Sequence, residues 1–381
     1  MSGGGRPVFV LAAGGTGGHL FPAEAVAAQL AARGAVVHLA SDRRGDAFAA
    51  AVPAMATWQV AAGRIGGNPI RSVSGIAATA LGFVQARRLL RRLAPDAVIG
   101  FGGYAAVPTM LAALQLGLPT ALHEQNAVLG RANRLLAGRV LRLAAGFAQT
   151  AGVPRAAQRR VVHTGNPVRP AIRAAAGAPY QAPQPDSPIE LLILGGSQGA
   201  RIFAEVVPPA LAALPAGLRG ALRLSQQARP EDCERVTAQL AAAGIAARVA
   251  PFFPDVADRL AQAQFVICRA GASTIAELAA VGRPALLVPY PHAMDDHQAA
   301  NARQFAAAGA GWVAPQAELT PAWLTGWLSR RLADGPGLVH AAAQARRFAP
   351  DDAAERLAAF VLALGPAAVG NPHLTPGERA A

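Results

Sequence analysis

Residues 268–298 read CRAGASTIAELAAVGRPALLVPYPHAMDDHQ, and this stretch decides the fold. The apolar run 265–268 ends in a turn of small residues, Arg269-Ala270-Gly271-Ala272. A helix is expected to start at Ser273 or Thr274, followed by a second buried strand at 284–288. A strand that ends in small residues and runs into a helix start leaves backbone N–H groups unpaired above the sheet. That arrangement suits an anion.

The same unit recurs upstream. Ile189 to Leu194 runs into Gly195-Gly196-Ser197-Gln198-Gly199, and Val8 to Ala12 runs into Gly14-Gly15-Thr16-Gly17-Gly18-His19. Pro22 is expected to open a helix that Gly34 stops, with strands at 36–40, 97–99 and 120–123 and a helix at 107–116. Strands alternating with helices of this length imply an α/β fold with parallel, doubly wound sheets. Two Rossmann-like domains facing across a cleft are expected, at 1–173 and 189–349. The Ala/Pro/Gln-rich segment 174–188 reads as a linker. A last helix falls within 350–365, expected to pack back on the N-terminal domain, and 366–381 reads as a flexible tail.

The 381 residues suffice for two or three domains, each with its own core. A 52% hydrophobic and 15% charged composition excludes a disordered chain. The net charge is +13 with no lysine, so every cationic side chain is arginine, which binds oxyanions bidentately. Few aromatics, and none in an RNA-binding pattern, argue against nucleic acid as a partner. Cys233 and Cys268 have neither disulfide-framework nor metal-site spacing. The uncharged run 97–122 is broken by Gly100, Gly102, Gly103, Pro108 and Pro119, and so reads as strand, loop and helix and not as a membrane span.

The motif chemistry narrows the ligand. A dinucleotide loop requires G-x-G-x-x-G, but counting from Gly15 the third glycine position is Leu20; Asp42 would be the only imitation of its ribose acid. A Walker A loop requires lysine. Three glycine loops remain, at 14–18, 100–103 and 195–199, all at strand ends, where ligands of such sheets bind. His19 follows the first loop and is the candidate general base. Glu124, at the end of the 120–123 strand, is either a second candidate base or a residue that orients its neighbours. Thr274 and Glu277 form T-x-x-E, which is also a capping box. Asp295-Asp296-His297 has the composition of a metal cluster, but adjacent aspartates on a helix face different ways and there is no D-x-D pair.

GGTGGHLFPAEAVA, GFGGY, HEQNAVLGRAN, TGNPVR, GGSQGAR and ASTIAE with the downstream DDHQAANA occur in that order from Gly14 to Ala302. Together they resemble the MurG family of bacterial N-acetylglucosaminyltransferases. The resemblance implies a GT-B fold, with the donor held mainly by the C-terminal domain. It also implies inverting transfer of N-acetylglucosamine from UDP-N-acetylglucosamine to undecaprenyl-diphospho-N-acetylmuramoyl-pentapeptide in peptidoglycan synthesis, without a metal or other cofactor. The family's donor contacts carry over to Thr16, Gly17, Gly18, Asn126, Arg169, Ser197, Ala272, Ser273, Thr274, Ile275, Ala276, Glu277 and Gln298. Phe253 stands where a smaller aliphatic residue is usual. Glu277 is the implied holder of the ribose hydroxyls, and Gly15, Gly102, Gly103 and Tyr104 are the expected cradle of the acceptor diphosphate. The implied location is peripheral, on the cytoplasmic face of the inner membrane. Ile70, Val73, Ile76, Ala80 and Phe83 with Arg71, Arg87, Arg88, Arg91 and Arg92 form a candidate patch for an anionic surface. A UDP-N-acetylglucosamine epimerase on the same fold is the alternative.

Overall fold

The structure, a computed structural model, describes residues 6–14, 17–42, 55–63, 69–184, 187–196 and 199–365. Gly15, Thr16, Ser197 and the 366–381 tail therefore lie outside the described residues. The chain forms two compact units: Met1–Pro167 with Asp352–Ala381, and Val168–Asp351.

Unit 1 contains β1 (Val8–Ala12), α1 (Gly17–Ala32), β2 (Val36–Ser41), β3 (Ala56–Gln59), α2 (Pro69–Leu93), β4 (Ala97–Gly100), α3 (Val107–Gln115), β5 (Thr120–Glu124), α4 (Arg131–Leu136), β6 (Arg142–Ala145) and β7 (Val161–His163). Its sheet runs β3-β2-β1-β4-β5-β6-β7, with every pairing parallel. Alternation along β1 feeds two cores. Phe9 and Leu11 pack in the layer with Leu20, Val26 and Leu30 of α1, while Val10 and Ala12 pack in the layer with Leu90 of α2 and Met110 of α3.

Unit 2 contains α5 (Pro170–Ala175), β8 (Ile189–Leu194), α6 (Arg201–Ala212), α7 (Ala216–Ala221), β9 (Leu222–Gln227), α8 (Pro230–Ala242), β10 (Ala246–Ala250), α9 (Val256–Gln262), β11 (Phe265–Cys268), α10 (Ala272–Val281), β12 (Ala285–Leu287), α11 (His297–Ala307), β13 (Gly311–Val313), α12 (Pro321–Leu332) and α13 (Gly335–Phe348). Its sheet, β10-β9-β8-β11-β12-β13, is also wholly parallel. α14 (Ala353–Leu362) returns to unit 1 and packs on α1.

In both sheets the strand order reverses direction beside the first strand of the unit. The switch falls between β1 and β4 in unit 1 and between β8 and β11 in unit 2. The chain leaves those four strands at their C-terminal ends at Ala13, Phe101, Gly195 and Arg269. A doubly wound sheet binds its ligand at such a switch.

Three expectations need correction. α1 begins at Gly17 and contains Pro22 in its interior; the proline forfeits only the bond to the Gly18 carbonyl, which one turn tolerates. The units meet at Pro167–Val168 and not at 173, because α5 packs on α9 and α10 of unit 2. The segment expected as a free linker is tied to unit 2 as well. Arg346 Nη2 donates to the Ala178 carbonyl at 2.8 Å, Arg283 Nη2 to the Pro179 carbonyl at 3.4 Å, and the Tyr180 hydroxyl to the Gln264 carbonyl at 2.9 Å.

α14 holds its place by burying Leu357, Ala358 and Val361 completely. Truncating such a side chain removes transfer energy and leaves a cavity. Leu357→Ala is expected to cost about 2–5 kcal/mol, read by urea denaturation of unit 1 fluorescence or circular dichroism; a cost below about 1 kcal/mol would show that α14 contributes little to the core.

Candidate active site

The unit 2 site is built on the start of α10. Its N-cap is Gly271 at φ −64°, ψ 145°, with no side-chain cap, and the first intrahelical bond is from Ile275 N to the Gly271 carbonyl at 3.0 Å. The N–H groups of Ala272, Ser273 and Thr274 thus have no intrahelical partner. Ser273 and Thr274 are half-buried, whereas Ala272, Ile275 and Ala276 are buried. The helix starts at Ala272, ahead of the expected Ser273 or Thr274, so Thr274 is not an N-cap and the capping-box reading fails. Asn301 of α11 is fully buried and donates from Nδ2 to the Ala270 carbonyl at 3.2 Å, fixing the loop from behind.

Glu277, in the second turn of α10, pairs with Arg169, the N-cap residue of α5. Arg169 Nε and Nη2 reach Glu277 Oε1 at 3.0 and 2.8 Å. Among the described residues Oε2 takes no bond, so one carboxylate oxygen is held and one is open. Burial pushes the Glu277 carboxyl up from its usual range, and Arg169 opposes that shift. Gln298, the second residue of α11, accepts from Tyr290 N at 2.9 Å through Oε1, which leaves its amide N–H₂ pointing elsewhere. Phe253 is buried with Arg259 stacked 4.5 Å from its ring centroid, so that only its backbone is available to a ligand; Phe252 is exposed.

The unit 1 site centres on His19, in the first turn of α1. Its Nδ1 lies 3.1 Å from Gln125 Oε1. Gly102 and Gly103 follow β4 at φ +86° and +74°, left-handed values that favour glycine. A Cβ on Gly102 would stand 3.4 Å from His19 Cε1, and one on Gly103 3.2 Å from His19 Cδ2. The loop therefore lies flat along the imidazole. Tyr104 opens the short turn that follows.

Glu124 is buried at the end of β5, and its carboxylate is saturated. Oε1 accepts from Asn126 N at 3.0 Å and Asn126 Nδ2 at 3.2 Å, while Oε2 accepts from Gly130 N at 2.8 Å and Asn133 Nδ2 at 2.9 Å. Four donors use the lone-pair sites of a carboxylate. Of the two candidate bases, Glu124 is thereby committed to clasping the β5–α4 loop, and His19 has no hydrogen bond at Nε2 among the described residues.

The expected donor set is divided by the fold. Gly17, Gly18 and Asn126 belong to unit 1; Arg169, Phe253, Ala272 to Glu277 and Gln298 belong to unit 2. Asp295 and Asp296 do not lie on a regular helix. Both adopt left-handed backbone at φ +52° ahead of α11, with Asp296 3.8 Å from Arg303 and His297 Nδ1 bonded to the Met294 carbonyl. Among the described residues no three His, Cys, Asp or Glu side chains are grouped as metal ligands. On α2 the exposed apolar stripe is Val73, Ile76, Ala77, Ala80, Leu81 and Val84, leading to exposed Arg88 and Arg91; Phe83 turns inward, and the Ile70 and Arg71 side chains lie outside the described residues.

With this geometry in place, comparison with known proteins is decisive. The profile for the glycosyltransferase family 28 N-terminal domain matches residues 9–145, and that for the family's C-terminal domain matches 190–357. A Rhodospirillum rubrum protein named UDP-N-acetylglucosamine–N-acetylmuramyl-(pentapeptide) pyrophosphoryl-undecaprenol N-acetylglucosamine transferase is 53% identical over 369 residues, 97% of this chain and 94% of that protein. The chain belongs to the MurG family of glycosyltransferases. A family member bearing the same name in Methylobacterium sp. (strain 4-46) is 52% identical over 94% of the chain and 96% of its own length. The crystal structure of Acinetobacter baumannii MurG aligns with a TM-score of 0.76 at 32% identity, over 94% of this chain and 99% of that one. A glycosyltransferase of calicheamicin, CalG4, aligns at 0.64 with 16% identity and shares the fold alone. The GT-B architecture expected of the family is the one observed.

Sequence reasoning passed over Gln125, His123, Asn133, Asn166 and Asn301. The signal for the first two was present: alternation at a strand end puts His123 with Gln125 on one face and Glu124 with Asn126 on the other. His123 is fully buried, and burial holds its imidazole down at about 4 despite its bond to the Gly165 carbonyl. A histidine whose folded pKa is below its unfolded value of about 6.5 costs stability as pH falls through that window, since the unfolded chain takes the proton first. Stability of unit 1 is expected to decline as pH drops from 6.5 toward 4. A His123→Phe variant should show a shallower decline in urea denaturation series; an unchanged slope would assign it to other groups.

Proposed function

We propose that this chain transfers N-acetylglucosamine from UDP-N-acetylglucosamine to the muramoyl 4-hydroxyl of undecaprenyl-diphospho-N-acetylmuramoyl-pentapeptide, with inversion and without a metal. The observation that carries this reading is the identity of about half the residues, along nearly the whole of both chains, with relatives named for that reaction.

Each unit has a fitting role. In unit 2 the diphosphate of UDP takes the free N–H groups of Ala272, Ser273 and Thr274 at the positive end of α10. Glu277 Oε2 accepts the ribose hydroxyls while Arg169 holds Oε1. The Gln298 amide, oriented by Tyr290 N, donates to the sugar. In unit 1 His19 Nε2 takes the proton of the 4-hydroxyl as its oxygen bonds to the anomeric carbon. The bond from that carbon to the β-phosphate oxygen breaks, and the pair of electrons leaves with UDP. The glycine loop 102–103 offers backbone to the acceptor diphosphate.

Magnitudes distribute the work. A helix terminus contributes about 0.3–1 kcal/mol when exposed and about 2 when sheltered. A preorganised donor aimed at developing charge contributes about 2.7–4 kcal/mol. A general base is worth a factor of about 10²–10⁴. Amides and base thus contribute comparably, and neither suffices alone.

The lipid-linked acceptor requires access to a membrane surface. Among the described residues no helix is long and apolar enough to cross a membrane. The α2 stripe from Val73 to Val84, ending at Arg88 and Arg91, supports peripheral contact with an anionic surface, at about 1 kcal/mol per arginine. Salt and loss of anionic lipid should both weaken co-sedimentation with vesicles; binding indifferent to both would remove this surface from the account.

Incubating labelled UDP-N-acetylglucosamine with a short-chain lipid acceptor in EDTA tests the reaction. Labelled disaccharide-lipid is expected, whereas consumption of the donor without acceptor would favour the epimerase. His19→Ala should lower turnover about 10²–10⁴-fold with little change in UDP affinity. Glu277→Ala should weaken UDP binding by roughly 1.5–3 kcal/mol, the worth of a hydrogen bond to a charged group.

A further inference from the structure

The side chains of His19, Gln125 and His123 form one directional hydrogen-bond chain. Gln125 Nε2 lies 2.9 Å from the Phe101 carbonyl and 3.4 Å from the His123 carbonyl. Carbonyls only accept, so this terminus of Gln125 must be the amide N–H₂, and the other terminus, 3.1 Å from His19 Nδ1, must be the carbonyl oxygen. It follows that His19 donates from Nδ1. The same N–H₂ lies 3.1 Å from His123 Nδ1, which therefore accepts, and His123 Nε2 carries the proton that it donates to the Gly165 carbonyl at 3.3 Å. One assignment is consistent with all of these contacts, the two amide hydrogens being shared among three acceptors, of which the Phe101 carbonyl at 2.9 Å and His123 Nδ1 at 3.1 Å are the nearer two. It requires His123 to be neutral, which its complete burial enforces. Asn166 Nδ2 holds the Gln125 carbonyl at 2.8 Å, and Asn166 itself packs where any side chain on Gly146 would be.

We propose that Gln125, backed by His123, is a positioning residue that fixes His19 in the Nδ1–H tautomer and so keeps the lone pair on Nε2, the nitrogen that faces the reacting hydroxyl. In water a histidine side chain prefers the opposite tautomer, with its proton on Nε2. Among the described residues Nε2 of His19 has no hydrogen-bond partner, so nothing else selects the form that accepts a proton there. A carboxylate in place of Gln125 would perform the same selection, as in hydrolase triads. The amide does so without adding a charge beneath the site. This inference rests on the reading of His19 as the base.

Two variants separate tautomer control from simple packing. Gln125→Met removes the acceptor; Gln125→Glu keeps an acceptor toward Nδ1 but abandons the donations to Phe101 and His123. If Gln125 only fills space and satisfies carbonyls, Glu is the worse replacement, because it buries a charge and leaves those groups unmet. Tautomer control gives the reverse order: turnover should fall about 10-fold or more in Gln125→Met, within the span of a general base, and recover in Gln125→Glu, with KM for UDP-N-acetylglucosamine near wild type in both. Long-range ¹H–¹⁵N spectra of the ligand-free wild-type chain above pH 8 read the tautomer directly. They should show His19 protonated at Nδ1, and protonated mainly at Nε2 in Gln125→Met. An Nε2–H wild-type ring, or Met outperforming Glu, overturns the proposal. Full turnover in His19→Ala would instead defeat the base assignment, while the spectra still decide whether Gln125 sets the tautomer.

Discussion

A helix that begins on a residue without a side chain has nothing of its own to cover its first amides. Gly271 puts α10 in that position, and its first intrahelical bond leaves the N–H groups of Ala272, Ser273 and Thr274 for something else. The sheet beneath makes this useful, since β11 stands at the reversal of strand order and points its C-terminal end at the same place. Several unit 2 side chains surround those amides. Asn301 ties down the preceding carbonyl, Glu277 and Arg169 stand one turn along, and Gly282 at φ +67° ends the helix where a Cβ would collide with Arg346.

Unit 1 uses the same architecture for a different purpose. At its switch the loop after β4 has two consecutive left-handed glycines lying along an imidazole, and the end of β5 supplies two faces of polar groups. One face clasps the following loop through Glu124. The other runs from His123 through Gln125 to His19. Two carbonyl acceptors decide which end of Gln125 is which, and that single choice settles the protonation of both histidines.

Much of this was legible in the residues. The inner strands β1, β4, β8 and β11 are largely buried and read as mainly apolar runs, and β5 (TALHE) is buried throughout although it carries polar residues. The edge strands β3 (ATWQ) and β10 (AARVA) are partly exposed, and β9 (LRLSQQ), the strand next in from β10, mixes polar and apolar residues, so no continuous run announces any of the three. Glycine-containing sequences follow β1, β4 and β8, three of the four strands that flank the two reversals of strand order. What stayed hidden depends on displacement of a residue or two and on bond direction. T-x-x-E is a capping box only if the helix starts at Thr274, and it starts at Ala272. His-Glu-Gln-Asn shows four polar residues at a strand end, but not that the glutamate is saturated and the glutamine is the link to His19. The α2 stripe shifted for a similar reason: Phe83 matched the helical spacing yet faces the core.

The central claim is that main-chain N–H groups at the start of α10 hold the diphosphate of the donor. A crystal structure of the chain with UDP, grown in EDTA, tests it most directly. The account predicts phosphate oxygens within hydrogen-bond distance, about 2.7–3.2 Å, of the N–H groups of Ala272, Ser273 or Thr274, with the ribose on Glu277. A diphosphate bound away from α10, or bound only when a divalent cation is restored, would contradict it.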